Sequence, residues 1–193
     1  MCDYRRRITA DDLSALKTKL STARTERPMH RLLAQRPHLV VNAEMAHGCR
    51  WIKSNPQLGA EFSPDFAVVR LDSGGLRWTL MELQDPITQL FIGNGQAGKE
   101  LREGIHQIGE WRGWVRRWGQ NGAEDHGYPR LRDDFRAVVV IGRSNDKLKD
   151  LQADDRISAL EREHRIEIRS YDYIYRAAWE ELYDCGVDHG RNP

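Results

Sequence analysis

Two carboxylates and one amide lie at the open end of a short hairpin-like segment, SPDFAVVRLDSGGLRWTLMELQDP, residues 63–86. Asp65 precedes the first arm, while Glu82 and Gln84 end the second. Two carboxylates buried side by side repel each other unless a cation joins them or one keeps its proton. Asp65, Glu82 and the backbone carbonyl of Leu83 offer the hard oxygen ligands that Mg²⁺ or Mn²⁺ prefers. The segment therefore predicts a divalent-cation site.

The position of a two-residue turn decides which residues face each other across this hairpin. A loop at 73–74 pairs Asp65 with Glu82, whereas a loop at 74–75 pairs Asp65 with Gln84. Either loop brings the three side chains to one face, and an odd-numbered loop or a bulge would separate them. The alternative interpretation is that the carboxylates lie at frayed strand ends and point into water.

The elements that must position these residues follow from hydrophobic periodicity. Both arms, residues 66–71 and 77–83, carry apolar side chains on both faces, which predicts strands inside a sheet that is covered on both sides. Residues 38–45 are ambiguous between a buried strand and a helix end. The remaining predicted elements are helices at 10–23, 28–36, 96–118, 151–163 and 171–184, a short strand between 48 and 66, and strands at 135–142 and 165–170. This order predicts an α/β fold with a mixed central sheet flanked by helices.

Composition limits the protein class. The 193 residues are 39% hydrophobic and 31% charged with a net charge of +1, as in a globular domain that is not basic overall. Three widely separated cysteines favour reduced thiols over a disulfide framework or a zinc site. Neither a signal peptide nor a run of about 18 apolar residues is present, so we expect a cytoplasmic protein without a membrane partner.

Several motifs in order resemble a known nuclease family. Asp65 after a proline, a hairpin, and then Glu82-Leu83-Gln84 resembles the PD-(D/E)XK nuclease pattern, with Gln84 at the lysine position. Further segments resemble the successive motifs of the Shedu anti-phage nuclease domain. They are LF at 90–91, IHQIGEWRGWV at 105–115, AVVVIGR at 137–143 and IEIRSYDYI at 166–174. The resemblance covers roughly residues 30–176. It divides the chain into a helical lead at 1–36, a nuclease domain at 37–176 and a C-terminal helix end and tail at 177–193.

This resemblance implies a PD-(D/E)XK restriction-endonuclease-like fold and a metal-dependent DNA endonuclease of bacterial anti-phage defence. It also implies a homo-oligomer acting on phage or other invading DNA. Asp65 and Glu82 would hold Mg²⁺ or Mn²⁺ with the help of Leu83, and Gln84 would orient water without the charge of a lysine. Loss of that lysine is equally what a catalytically weak module that binds DNA or a protein partner would show. Lys53 or Lys99 would have to replace its charge from elsewhere.

Other residues are candidates for supporting roles. Gln107 and Glu110 match the helical motif of the family and would either complete the site or brace the sheet. Glu44 or Glu61 is a weaker candidate for an additional metal ligand. The arginines of WRGWVRRW, which are Arg112, Arg116 and Arg117, stand beside tryptophans and are candidate DNA contacts, or else a solvated helix face.

Overall fold

A five-stranded sheet forms the centre of the protein in a computed structural model that describes residues 6–44, 49–93, 95–144 and 152–183. The strand order is β1-β2-β3-β4-β5, antiparallel up to β3 and parallel from β3 to β5. The strands are β1 (Cys49–Ser54), β2 (Phe66–Asp72), β3 (Gly75–Leu83), β4 (Arg136–Val140) and β5 (Glu167–Arg169). The predicted fold class, a mixed central sheet flanked by helices, is confirmed.

Six helices in the described residues cover this sheet. They are α1 (Ala10–Thr22), α2 (Glu26–Gln35), α3 (Pro37–Glu44), α4 (Lys99–Asp125), α5 (Ala153–His164) and α6 (Asp172–Tyr183). Helix α1 begins with a capping box in which Thr9 and Asp12 satisfy each other's backbone amides. Helices α4 and α5 make the crossovers that parallel neighbours require, from β3 to β4 and from β4 to β5.

The β2–β3 hairpin has the register of the first of the two predicted loops, the one at 73–74. Phe66 pairs with Met81 and Asp72 pairs with Gly75, which leaves residues 73 and 74 as the loop. The Asp72 carboxylate accepts a hydrogen bond of 2.8 Å from the amide of residue 74, and Gly75 takes a φ of 99° that favours glycine. The same register, continued by one residue, places Asp65 opposite Glu82.

Each face of the sheet buries its own hydrophobic core, as the alternation in the arms predicts. Phe66, Val68 and Met81 pack under α1, α2, α3 and α6. Ala67 and Leu80 pack under α4 and α5. At about 25 cal/mol per Å² of apolar surface removed from water, these two layers supply most of the driving force that holds the hairpin in place.

Two element boundaries refine the predictions. Residues 38–44 are helical, as part of α3, so the alternative of a buried strand there is wrong. Helix α4 starts at Lys99 rather than at residue 96, and Gly119 interrupts it with a φ of 66°, directly after the predicted end at Trp118. Helices α1 and α2 pack in the same hydrophobic core as β2 and β3, while the boundary between a helical lead and a nuclease domain at residue 36 stays a prediction.

None of the helices in the described ranges is long and apolar enough to span a membrane.

Candidate active site

The Asp65 carboxylate is held in place from two directions. Its Oδ2 atom accepts a hydrogen bond of 2.7 Å from the Leu83 amide at the end of β3. Its Oδ1 atom lies 3.5 Å from Nε2 of His30 on α2. The Asp65 carbonyl accepts a further bond of 2.8 Å from the Asn55 amide after β1. The carboxylate is thereby fixed where β1, β3 and α2 meet.

Glu82 and Gln84 lie beside Asp65 on the side of the sheet that α4 covers. Both are nearly buried, with 5% and 7% of their surfaces exposed. The Gln84 amide nitrogen lies 3.5 Å from Glu82 Oε1 and donates to Gln107 Oε1 on α4 at 3.3 Å. The structure thus brings Asp65, Glu82, Gln84 and Gln107 together, and their roles stay a prediction.

Burial makes these carboxylates hard to ionise. Burial is the main cause that raises the pKa of Glu82, and the charges of Asp65 and Glu26 raise this pKa further. A hydrogen bond from Gln107 acts in the opposite direction and lowers it. Burial also raises the pKa of Asp65, opposed by the Leu83 amide. For Glu26, burial and then the charge of Asp65 raise the pKa to about 7. A cation bound here would remove the cost of three mutually repelling charges.

Helix α2 contributes two residues that the sequence analysis missed. Glu26 and His30, four positions apart, lie on one face of α2, and His30 packs on Phe66 with ring centroids 5.3 Å apart. Asp85, directly after Gln84, accepts a hydrogen bond of 2.8 Å from the Glu26 amide and so docks the N-terminus of α2 onto the end of β3. The E-x-x-x-H spacing was the available signal, but it does not say what that face contacts.

Glu26, Glu82, Gln84 and Gln107 line a pocket of about 330 Å³, and Asp65 stands outside its lining. Its described lining contains three glutamates and no lysine or arginine. The lining residues are Glu26, Glu82, Gln84, Glu103, His106 and Gln107. Such a lining attracts cations.

The sequence of residues 23–175 matches the family described as "Shedu protein SduA, C-terminal". This chain belongs to the Shedu family. No curated protein matches it. Among solved structures it resembles the restriction endonuclease FokI bound to DNA, at 12% identity and a TM-score of 0.47. That likeness covers 89% of this chain and 29% of the FokI chain, so the Shedu domain spans less than a third of that endonuclease.

Some predicted candidates of the Shedu domain lie apart from the acidic pocket. Glu110 is half-buried on α4, 3.8 Å from His106, and does not line the pocket. Lys99 pairs with Glu103 at 3.6 Å and extends into solvent, and the Lys53 side chain is exposed on β1. No described contact joins either lysine to Glu82, so neither takes the place of the missing family lysine in this structure.

The two upstream glutamates are engaged in other contacts. Glu44 bonds to Arg136 and to the Tyr173 hydroxyl, at the start of β4 rather than at its end. Glu61 forms an ion pair with Arg117 at 3.0 Å. Neither lines the pocket around Glu82.

The three candidate arginines have different environments. Arg112 is 7% exposed, and its guanidinium donates to the carbonyls of His164 and Arg165, so it braces α5 and does not face solvent as a DNA contact would. Arg116 and Arg117 are exposed and make ion pairs of 3.5 Å and 3.0 Å. They stay candidates for phosphate contact because exposed ion pairs are weak.

The donor set of the Shedu site fits a hard divalent cation. Within the described ranges no three Asp, Glu, His or Cys side chains form a ready cage, so Asp65 and Glu82 would be completed by other oxygens. Mg²⁺ normally keeps several waters and needs only one or two protein carboxylates. Glu26 stands near enough for its charge to act on Glu82, and the contribution of the Leu83 carbonyl stays a prediction.

Proposed function

We propose that this Shedu domain is a metal-dependent DNA endonuclease of an anti-phage defence system. The observation that carries the proposal is the convergence of two carboxylates with raised pKa values, the mostly buried Asp65 and the buried Glu82, at the end of the β2–β3 hairpin. Family membership supports the nuclease-like role in defence. The metal requirement and the DNA substrate are inferred from the chemistry of the site.

Asp65 and Glu82 would hold Mg²⁺ or Mn²⁺, which supplies Lewis acidity and charge neutralisation at a phosphodiester when bound. Gln84 and Gln107 are linked through their amides and can fix a water by hydrogen bonds. His30 Nε2 is buried and makes no hydrogen bond in the described structure, although it lies 3.5 Å from Asp65 Oδ1. The hydrogen bond from the Leu83 amide holds the Asp65 carboxylate against the end of β3.

A plasmid-cleavage assay tests the proposal. Wild type should nick or linearise supercoiled plasmid with Mg²⁺ or Mn²⁺ and leave it intact in EDTA. Glu82→Gln should lower the rate by more than the roughly 10–100-fold that outer-shell partners of a metal cost. Glu124→Gln, an exposed carboxylate on the same α4 helix, is the matched control and should cut like wild type.

Metal binding can be measured apart from cleavage. Mn²⁺ should raise the melting temperature of wild type and of Glu124→Gln, and should have little effect on Glu82→Gln. Equal Mn²⁺ effects on all three proteins would show that Glu82 is not a ligand.

The presence of Gln84 where the family pattern has lysine favours a second candidate function, a nuclease-like module that binds DNA without cutting it. This module would retain DNA in a gel-shift assay, with unchanged plasmid in every divalent ion tested. Cleavage that depends on Glu82 would reject it.

A further inference from the structure

Five arginines gather around a cavity of about 410 Å³ at the turn end of the hairpin, remote from the acidic pocket. Arg77 precedes Glu82 by five residues on β3, which at about 3.3 Å per residue separates the two regions by roughly 17 Å. The arginines that line the cavity are Arg70, Arg77, Arg130, Arg132 and Arg136. Glu44 and Asp134 are the carboxylates of its described lining.

The sheet places three of these arginines side by side. Arg70 on β2 pairs directly with Arg77 on β3, and Arg136 on β4 pairs with Thr79, two residues further along β3. Arg70 shares its face with Val68, so the row continues the face that α1, α2 and α3 cover elsewhere. Like charges directly opposite each other in an antiparallel pair are unfavourable, and an anion between them would reverse that effect.

The loop before β4 supplies Arg130 and Arg132. Trp78 donates its ring N–H to the carbonyl of residue 129 at 2.9 Å, which ties this loop to the sheet. Arg130 has a φ of 59°, a left-handed conformation that is uncommon for a residue with a side chain. A Cβ atom on Gly75 would lie 3.0 Å from Arg130 Nη1, so the glycine lets the guanidinium lie close against the hairpin.

The existing ion pairs leave the guanidinium groups available. Arg70 and Arg77 share one carboxylate, that of Asp72, at 3.4 Å and 3.7 Å, and their side chains are 45% and 59% exposed. Arg132 contacts Asp134 at 3.4 Å in an exposed pair. Within the described residues Arg130 has no carboxylate partner. Only Arg136 is held firmly, between Glu44 and Glu167.

We propose that this cavity is a phosphate-binding site, separate from the acidic pocket and independent of the proposed nuclease activity. Planar guanidinium forks that converge from three strands and one loop suit the several oxygens of a phosphate group. The ligand is a chain of phosphates, free or on a nucleotide, or a phosphate of a nucleic acid. A cavity of about 410 Å³ has the size of a small-molecule site, which favours the small ligand over the side of a duplex.

Calorimetric titration in EDTA tests the site, because EDTA removes any phosphate binding that passes through a metal at Glu82. The probes are inorganic tripolyphosphate, ATP and a 5′-phosphorylated single-stranded hexanucleotide. Wild type should bind tripolyphosphate saturably, and the double variant Arg77→Gln/Arg130→Gln should bind it at least tenfold more weakly. Tighter binding of ATP or of the hexanucleotide identifies the natural source of the phosphate.

Two controls make the result specific. Arg162→Gln removes an exposed arginine on α5 that does not line the cavity and should leave the affinity unchanged. Glu82→Gln should leave it unchanged as well. Thermal unfolding of the double variant checks that it is folded, and Arg132→Gln provides a milder second variant. Absence of saturable binding to all three probes, or equal losses in Arg162→Gln and the double variant, would overturn the proposal.

Discussion

Gln84 is the residue at which this chain departs from the nuclease pattern that it resembles. Its side-chain amide nitrogen bridges Glu82 and Gln107, and the Tyr171 hydroxyl donates to its backbone carbonyl at 2.8 Å. The position is therefore well ordered although it carries no charge. Because a lysine here would stand beside a buried carboxylate, the substitution changes the electrostatics of the site more than its shape.

Gln84→Lys should raise the rate of metal-dependent plasmid cleavage about tenfold or more, since an ammonium group stabilises charge that develops on the phosphate. Gln84→Met keeps the size of the side chain, removes both hydrogen bonds of the side-chain amide, and should cut no faster than wild type. The two variants are compared in single-turnover cleavage at saturating Mg²⁺. A slower lysine variant would mean that the ammonium group displaces the metal instead of assisting it.

At the scale of elements, α4 must approach the sheet closely for Gln107 to reach Gln84. Gly104 makes this possible, because a Cβ there would lie 3.0 Å from Val139 and 3.4 Å from Gln84. Gly104→Leu should therefore lower the free energy of unfolding by about 1–3 kcal/mol and reduce cleavage. Gly109→Leu, on the same helix with open space around it, should instead raise stability by about 0.5–1 kcal/mol.

Urea denaturation of these two glycine variants measures both effects. If Gly104→Leu were as stable as Gly109→Leu, the helix would have room to spare at the site. The proposed role of Gly104 in letting α4 approach the sheet would then be rejected.

The second element contact is the one that Arg112 makes between α4 and the end of α5. Its guanidinium donates to two carbonyls there and lies over Phe135, 5.4 Å from the ring centroid. Arg112→Leu should cost about 1–3 kcal/mol of stability because partly buried carbonyls lose their donor. Arg116→Leu, exposed one turn later, should change stability by less than about 0.5 kcal/mol. Equal stabilities in urea would contradict the bracing role.

At the scale of the whole molecule, the acidic pocket makes stability depend on pH. Glu26, Asp65 and Glu82 have folded-state pKa values above their ordinary values, so the folded chain keeps protons that the unfolded chain releases. The stability from this source is present below about pH 4 and is lost as the pH rises through the folded pKa values, one of which is about 7. The metal-free protein should therefore melt at a lower temperature at pH 9 than at pH 5.

Differential scanning calorimetry in EDTA checks this pH dependence, and Glu82→Gln should weaken it. Mn²⁺ at about 100 times its Kd should raise the melting temperature at pH 8 by about 5–10 °C in wild type. A melting temperature in EDTA that stays constant or rises from pH 5 to pH 9 would contradict the ionisation pattern of the site.

The sequence by itself determined the features that depend on short-range geometry. Either of the two possible two-residue turns puts Asp65, Glu82 and Gln84 on one face, so their neighbourhood followed from counting residues, while the structure selected the turn at 73–74. The apolar stripe of α4 placed Gln107 on a helix in the same way. Helix ends were less certain, because capping at Gly98 and the left-handed Gly119 decide them within one turn.

Only the tertiary structure decided which distant elements meet at the hairpin. Glu26 and His30 reach the site because Asp85 docks α2 onto β3, a contact across 59 residues that no local period encodes. Arg112 and Arg116 look alike in sequence, yet one is buried and the other exposed, since burial depends on what packs against each turn of α4. The arginine row across β2, β3 and β4 likewise exists only once the sheet is assembled, because side chains far apart along the chain become neighbours through strand pairing.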